Sequence, residues 1–137
     1  MEQPKKWRVT KDSNRGLSVI SANQPHTSCL IWLHGLGDSA EGFLPFFYSE
    51  NSPVPYSCKV RLLTAPRGTV TATGVEMNMW YDFKAFSGKA SREPIDYAAR
   101  SPCVIAAVDD EIRLLNPKPT HQTPNYYLHC RCVYLHK

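Results

Sequence analysis

The sequence lacks any apolar run long enough to cross a membrane. A spanning helix needs about 20 consecutive apolar residues, and no segment of the 137-residue chain approaches that length. The first 16 residues are charged, with neither the apolar core nor the small-residue cleavage site of a secretory signal. We therefore expect neither an integral membrane protein nor a secretory leader, and at most peripheral contact with a membrane.

Acidic residues are missing from the last part of the chain and scarce in the first. Residues 1–15 hold five Lys or Arg and two acidic residues, and residues 117–137 hold three and none. The formal net charge of +4 therefore lies at the two ends, because residues 16–116 are slightly acidic. A nucleic-acid-binding protein has a basic stripe on its folded face, so we predict no nucleic-acid partner. Solvated basic termini are favoured, and a phosphate-binding role is the alternative.

The chain has five cysteines, an odd count. Without a secretory signal, this indicates free thiols in a reducing compartment, and hence a cytoplasmic protein. Cys130 and Cys132, with His121, His129 and His136 nearby, superficially resemble a metal site. Zinc-binding cysteines are usually spaced C-x2–4-C, and C-x-C is tighter, so chance clustering is favoured. We predict no metal and no cofactor; a redox or zinc-binding tail is a further alternative.

The composition is that of an ordinary globular domain, with 42% hydrophobic and 20% charged residues. Apolar alternation predicts strands, and apolar spacing of three to four residues predicts helices. The expected elements are an edge strand or turn at 7–15, strands at 17–21, 28–33 and 59–64, helices at 40–48 and 95–115, and a polar loop at 69–79. The second helix is expected to be broken or kinked near Pro102. This order indicates an α/β fold with a mostly parallel sheet.

The character of the chain changes after Asn116. The last 21 residues are rich in Pro, His and Tyr and show no helical pattern. Residues 126–128 and 132–135 could form short strands, yet the stretch is a poor candidate for the next parallel strand. We therefore divide the chain into a basic N-terminal segment at 1–15, a partial α/β domain at 16–116 and a divergent tail at 117–137 that need not belong to the fold.

The most informative segment is the strand that ends in His34-Gly35-Leu36-Gly37. A strand followed by His-Gly-x-Gly is typical of the oxyanion-hole loop of serine esterases. Such a loop needs backbone N–H groups that already point at the developing negative oxygen, and glycines that allow a sharp turn. The N–H of Leu36 is the expected donor, supported by its three neighbours. An ordinary strand-to-helix turn remains open, and a phosphate loop fits less well because no Gly-Lys-[Ser/Thr] follows.

Three ordered motifs carry a resemblance to a known family. They are WLHGLGDS at 32–39, LTAPR at 63–67 and MNMWYD at 77–82. Together they resemble the acyl-protein thioesterase and lysophospholipase-type carboxylesterase family over roughly residues 27–116. The resemblance implies an α/β-hydrolase fold and a cytoplasmic serine hydrolase that acts on acylated proteins, small esters or lysophospholipids. It also implies that Leu36 contributes an oxyanion-hole N–H, that Trp80 lies near the acyl-binding side as a substrate contact or as a packed aromatic, and that Asp82 holds local structure.

The sequence departs from that family at the nucleophile. No serine of this chain lies in Gly-x-Ser-x-Gly, and the family's acid and histidine follow that motif. His34 cannot replace the catalytic histidine because it belongs to the oxyanion loop. We therefore predict an incomplete α/β-hydrolase fold without a catalytic triad, truncated before the nucleophile, inactive alone and of marginal stability. The alternative is a non-catalytic pseudo-hydrolase that binds acyl groups.

Overall fold

The computed structural model describes residues 7–12, 15–84, 102–115 and 126–130, the last of these by their backbone. Within these ranges the chain forms seven strands and two helices. The elements are β1 (Trp7–Lys11), β2 (Leu17–Ser21), β3 (Ser28–Leu33), α1 (Ala40–Phe47), β4 (Cys58–Leu63), β5 (Arg67–Val70), β6 (Val75–Asn78), α2 (Pro102–Leu115) and β7 (Tyr126–Cys130). None of the helices described has the length and apolar character needed to cross a membrane.

Five strands form one sheet in the order β1-β2-β4-β3-β7. β3 is parallel to β4 on one side and to β7 on the other, whereas β1, β2 and β4 pair antiparallel. The short connection between β1 and β2 allows only antiparallel pairing, because a parallel pair needs a long crossover. The α/β class is confirmed, and the sheet is mixed, with its parallel half made by β4, β3 and β7.

The two faces of the sheet bury different apolar residues, since successive side chains of a strand point to opposite faces. Trp32 of β3 packs on the face covered by α1, and Ile31 packs on the face covered by α2. The α1 face buries Trp7, Leu17, Val19, Trp32, Ala40, Phe47, Val60 and Leu62. The α2 face buries Cys29, Ile31, Leu33, Leu63 and Ala107. The sheet is therefore the middle layer of three.

A buried ion-pair network joins α2 to the sheet. Glu111 of α2 is 1% exposed, and its carboxylate lies 2.6 Å from the Lys59 ammonium and 3.4 Å from the His26 ring. Arg61 of β4 bonds Asp12 at 3.2 Å and donates to the Ala107 carbonyl at 3.2 Å. Asp12, Lys59, Arg61 and Glu111 line a cleft of about 420 Å³. The charges pair with one another, so the network fixes the position of the helix.

The strands predicted before residue 64 and the first helix are confirmed, with ends that differ by a residue or a few. The second helix begins at Pro102, whereas the prediction began it at residue 95; residues 95–101 lie outside the described ranges. Proline is favoured in the first turn of a helix because it lacks an N–H and its φ is already helical. The described helix thus begins at the proline near which the break was expected, and the part of the prediction at 95–101 stays a prediction.

The predicted polar loop at 69–79 is wrong. β5 and β6 form an antiparallel hairpin, in which Arg67 pairs with Asn78 and Val70 with Val75. The turn ends at Gly74, whose φ of +69° favours glycine. The hairpin is mostly exposed, so its strands lack the apolar alternation that would have identified them.

Two segments assigned outside the domain contribute strands. Residues 7–11 of the basic N-terminal segment form the edge strand β1, which pairs with β2 along its whole length. In the tail, β7 pairs in parallel with β3, from Cys29 opposite Tyr126 to Leu33 opposite Cys130. The expectation that this stretch is a poor parallel strand is therefore wrong. β7 forms by pairing with the edge of β3. Because β3 is distant from it in sequence, the local sequence of the tail gives no signal of this strand.

Candidate active site

The candidate site lies at the carboxyl ends of the parallel strands β3 and β4. These strands run in register, with Leu33 opposite Leu63, so the segments that follow them emerge side by side. Ligands of open α/β sheets bind at this edge. The topology thus brings the predicted oxyanion loop, residues 34–38 and called the oxyanion loop below, next to Thr64 and Ala65.

His34 is a buried support of the oxyanion loop. It is 1% exposed, and its Nε2 accepts a hydrogen bond from the Ala65 N–H at 2.9 Å. Nε2 is therefore unprotonated, and Nδ1 carries the proton that it donates to the Gly35 carbonyl at 2.6 Å. Burial lowers the pKa of His34. Since both ring nitrogens bond the main chain of neighbouring segments, the neutral ring joins the ends of β3 and β4.

Trp80 packs against the oxyanion loop from the side of α2. Its indole N–H donates to the His34 carbonyl at 3.0 Å, and the two rings are 5.3 Å apart, centre to centre. The half-buried ring also packs on the cluster of Ile31 and Leu33. A packed aromatic is thus what the structure describes at this position, and substrate contact by Trp80 stays a prediction.

Asn78, at the end of β6, holds the far side of the loop. Its main-chain carbonyl accepts the Gly37 N–H at 2.8 Å, and its side-chain amide donates to the Asp38 carbonyl at 2.8 Å. Gly37 has a φ of +81°, whereas Gly35 has no positive φ. Of the two predicted turn glycines, Gly37 is the one whose backbone angle favours glycine.

The amide of Leu36 lies between these two attachments. The three amides after Leu36 in the chain each donate a hydrogen bond. The Gly37 N–H donates to the Asn78 carbonyl, the Asp38 N–H to the Gly35 carbonyl at 3.2 Å, and the Ser39 N–H to the Asp38 carboxylate at 2.8 Å. No described residue accepts a hydrogen bond from the Leu36 N–H. Leu36 is half-buried, and an anionic ligand at this place would accept a hydrogen bond from its N–H.

The start of α1 completes the site. The Ala40 N–H donates to the Thr64 hydroxyl at 3.0 Å, and the Gly42 N–H donates to the Ser39 hydroxyl at 3.3 Å. Ser39 is therefore the N-cap, as its residue type predicts. Because Thr64 follows β4, the helix is joined to the same edge of the sheet as the loop.

Sequence reasoning missed two residues of the site, Arg15 and Asn78. The Arg15 guanidinium donates to the Asn78 side-chain oxygen at 3.2 Å and to the Ala65 carbonyl at 3.4 Å. Arg15 was assigned to the solvated N-terminal segment and Asn78 to a polar loop. Asn78 lies within the MNMWYD motif at 77–82, which marks the segment and not this role. Arg15 has no local signal, because its contacts join distant segments.

The metal alternative receives no support from the side chains described. Among the described residues, no group of His, Cys, Asp and Glu could hold a metal ion. Cys130 and His129 are described by their backbone in β7, and Cys132, His121 and His136 lie outside the described ranges. Cys29, Cys58 and Cys103 are free thiols, and burial raises the pKa of each.

Comparison with known proteins supplies the family. The model of the phospholipase/carboxylesterase family matches residues 14–121. This chain belongs to that family. An acyl-protein thioesterase 1 from each of two strains of Cryptococcus neoformans var. neoformans serotype D is 39% identical over 66 residues, which are 47% of this chain and 27% of the relative. Acyl-protein thioesterase 2 of Zea mays matches in structure with a TM-score of 0.51 and 23% identity, over 85% of this chain and 45% of that one.

The family assignment confirms the predicted α/β-hydrolase fold and the predicted family. The 137-residue chain spans less than half the length of the maize structure, and its alignment covers about a quarter of the fungal relatives. The matched range includes the whole oxyanion loop together with Arg15, Asn78 and Trp80. No Gly-x-Ser-x-Gly occurs in the 137 residues.

Proposed function

We propose that this chain supplies the oxyanion-binding part of a carboxylesterase or acyl-protein thioesterase, with the Leu36 N–H as donor. The observation that carries the proposal is this amide, which lacks an acceptor among the described residues while the three amides that follow it are occupied. The substrate class is an acylated protein, a small ester or a lysophospholipid. Free thiols at three described cysteines support a reducing, cytoplasmic location for the protein.

The chemistry of ester and thioester cleavage explains what the amide does. When a nucleophile attacks the carbonyl carbon, the electron pair of the C=O bond moves to the oxygen, which becomes an anion. A donor that is already oriented stabilises this anion without reorganisation. His34 and Gly37 hold the loop, so the Leu36 N–H keeps its direction as charge develops. The leaving thiolate or alkoxide departs when the carbonyl re-forms.

Without a Gly-x-Ser-x-Gly nucleophile, the chain alone is proposed to be inactive. A fluorophosphonate probe labels activated serines, and an ester or acyl-thioester substrate reports turnover. We expect no labelling of the 137-residue chain and no burst of product. Specific labelling of one serine would show a nucleophile elsewhere in this chain and would overturn the inactivity.

A phosphonate that carries a medium-length alkyl chain tests the oxyanion site itself, because its tetrahedral anionic oxygens resemble the intermediate. Calorimetric titration compares the wild type with Leu36→Pro, which lacks the N–H, and with Leu36→Ala, which keeps it. We expect Leu36→Pro to weaken binding about tenfold or more, the effect of one strong hydrogen bond. Folding of each variant is checked by circular dichroism.

Equal binding by the two variants would show that the Leu36 amide is not the donor. Binding that survives in Leu36→Pro and depends only on alkyl-chain length would favour the alternative, a non-catalytic acyl-binding module. In that case a Trp80→Ala variant should weaken binding if the indole contacts the acyl chain.

A further inference from the structure

The backbone of Arg15 adopts a conformation that arginine disfavours unless contacts with other residues hold it. Its φ is +66°, in the left-handed region that non-glycine residues rarely adopt. Among the described residues it is the one non-glycine residue with positive φ. Such conformations persist where other contacts hold them, and they are frequent at functional sites.

The side chain of Arg15 joins two segments at the candidate site. Its guanidinium donates to the Asn78 side-chain oxygen at 3.2 Å and, more weakly, to the Ala65 carbonyl at 3.4 Å. The planar fork of arginine can reach two acceptors at once, which a lysine ammonium does less well. Within the described ranges Arg15 forms no ion pair, so these neutral acceptors are its partners.

Each acceptor continues into one end of the oxyanion loop. On one side, the Ala65 N–H donates to His34 Nε2 at 2.9 Å. On the other side, Asn78 bonds the Gly37 N–H and the Asp38 carbonyl, both at 2.8 Å. Leu36 lies between these two attachments. The Arg15 guanidinium therefore connects the residues that hold the two ends of the oxyanion loop.

We propose that Arg15 is a positioning residue that orients the Leu36 amide by bracing the Ala65–His34 and Asn78–Gly37 connections together. The inference rests on the proposed oxyanion function and adds to it a residue from the β1–β2 turn, far from the recognised motifs. Its positive charge also lies near the loop, where it favours an anionic ligand. The same charge contributes, after burial, to lowering the pKa of His34.

The substitution Arg15→Gly separates positioning from general stability. Glycine relieves the positive φ, so the fold should keep or gain thermal stability if only the backbone matters. If the brace exists, amide hydrogen exchange of Gly37 should rise about tenfold, the effect of losing a net hydrogen bond or two. Exchange at Val60, in the sheet core, should not rise. The measurement is amide-resolved exchange by NMR.

Four further measurements sharpen the test. Arg67→Ala is the control for loss of an arginine side chain, because the Arg67 guanidinium pairs with Glu76 on the exposed hairpin. Arg15→Lys should rescue Gly37 protection only in part. Millimolar methylguanidinium should restore protection in Arg15→Gly and leave Arg67→Ala unchanged. Binding of the alkyl phosphonate should weaken several-fold in Arg15→Gly alone.

The outcomes separate the two proposals. Gly37 exchange at the wild-type rate in Arg15→Gly overturns the brace, whatever the phosphonate does. Faster exchange with unchanged phosphonate affinity also overturns it, since the brace would then not orient the donor. If the wild type binds no phosphonate, the oxyanion proposal fails, and the exchange data still decide whether Arg15 holds the loop.

Discussion

His34 shows at the residue scale how burial turns a titratable side chain into a structural one. Its ring is 1% exposed and bonds main-chain atoms of Gly35 and Ala65 through its two nitrogens. A proton on Nε2 would replace the bond from the Ala65 N–H with a contact between two donors. Burial and this geometry therefore both favour the neutral ring.

The pH dependence of stability follows from the lowered pKa of His34. The unfolded chain takes up this proton near pH 6.5 and the folded chain only at lower pH, so stability is complete above about pH 6.5 and falls below it. We expect the Tm of the wild type to drop between about pH 7.5 and about pH 5.5 more than that of His34→Gln, whose side chain accepts a hydrogen bond without titrating. Parallel pH profiles of the two proteins would contradict this role.

Gly37 and Gly74 provide a matched pair of backbone tests. Both have positive φ, +81° and +69°, so an alanine at either costs about 1–2 kcal/mol of stability. We expect Gly37→Ala also to lose phosphonate binding, since Gly37 adjoins the Leu36 donor, and Gly74→Ala to keep it. Urea unfolding and calorimetric titration measure the two effects. A Gly37→Ala protein that binds as well as Gly74→Ala would show that the loop geometry is not needed.

Residue roles at the site could be predicted where they depend on local sequence. The spacing of His34, Gly35, Leu36 and Gly37 indicates a loop after a strand, and Ser39 indicates the following helix start. Arg15 and Asn78 could not be found in this way. Their contacts join segments about 50 and 40 residues away in sequence, such as Ala65 and Asp38, and no residue type marks such a contact.

At the element scale, Asp82 attaches the β5–β6 hairpin to the segment of chain that follows β6. The carboxylate accepts from the Thr71 N–H at 2.9 Å and from the Thr71 hydroxyl at 2.5 Å, and it lies 3.0 Å from the Lys84 ammonium. These hydrogen bonds from Thr71, with Lys84 adding to them, lower the pKa of Asp82 to about 2. The predicted role of Asp82 in local structure fits this geometry.

Protonation of Asp82 should therefore loosen the hairpin turn only in strongly acidic solution. Because the folded pKa lies below the ordinary value of 3.8, the stabilisation is present above pH 3.8 and is lost as the pH falls toward 2. We expect the Thr71 amide resonance to move over this window in the wild type. In Asp82→Asn it should stay constant with pH, and exchange at Thr71 should be faster throughout. A Thr71 resonance that titrates near pH 4 would contradict the account.

Strand and helix prediction succeeded or failed according to burial. β2, β3 and β4 are apolar and buried, so pattern alone located them. The hairpin β5–β6 is exposed and polar, and β7 depends on the edge of β3; neither has a periodicity of its own. The start of α2 at Pro102 follows from the chemistry of proline.

For the whole molecule, the attachment of α2 depends on charges as well as on apolar packing. Glu111 is 1% exposed, and the Lys59 and Arg61 side chains are 13% and 10% exposed. An acidic side chain of a helix is usually exposed to solvent, whereas Glu111 is buried. The burial is possible because two cations of β4 lie opposite it.

Removal of the buried carboxylate should be far more harmful than removal of its exposed neighbour. Glu111→Gln leaves the Lys59 ammonium without a counter-charge, and breaking a buried pair costs about 3–5 kcal/mol. Asp110 is 56% exposed in its side chain, so Asp110→Asn should cost no more than about 1 kcal/mol. Denaturant unfolding of the two variants measures the difference. Equal stabilities would show that the network does not hold the helix.

The central claim is that the Leu36 amide binds an oxyanion, and its resonance in a two-dimensional ¹⁵N–¹H NMR spectrum tests this most directly. We predict that titration with the alkyl phosphonate moves the Leu36 amide proton downfield more than any other, in proportion to occupancy, as a hydrogen bond to an anion requires. A Leu36 resonance that stays in place while the phosphonate binds elsewhere, or does not bind at all, would contradict the account.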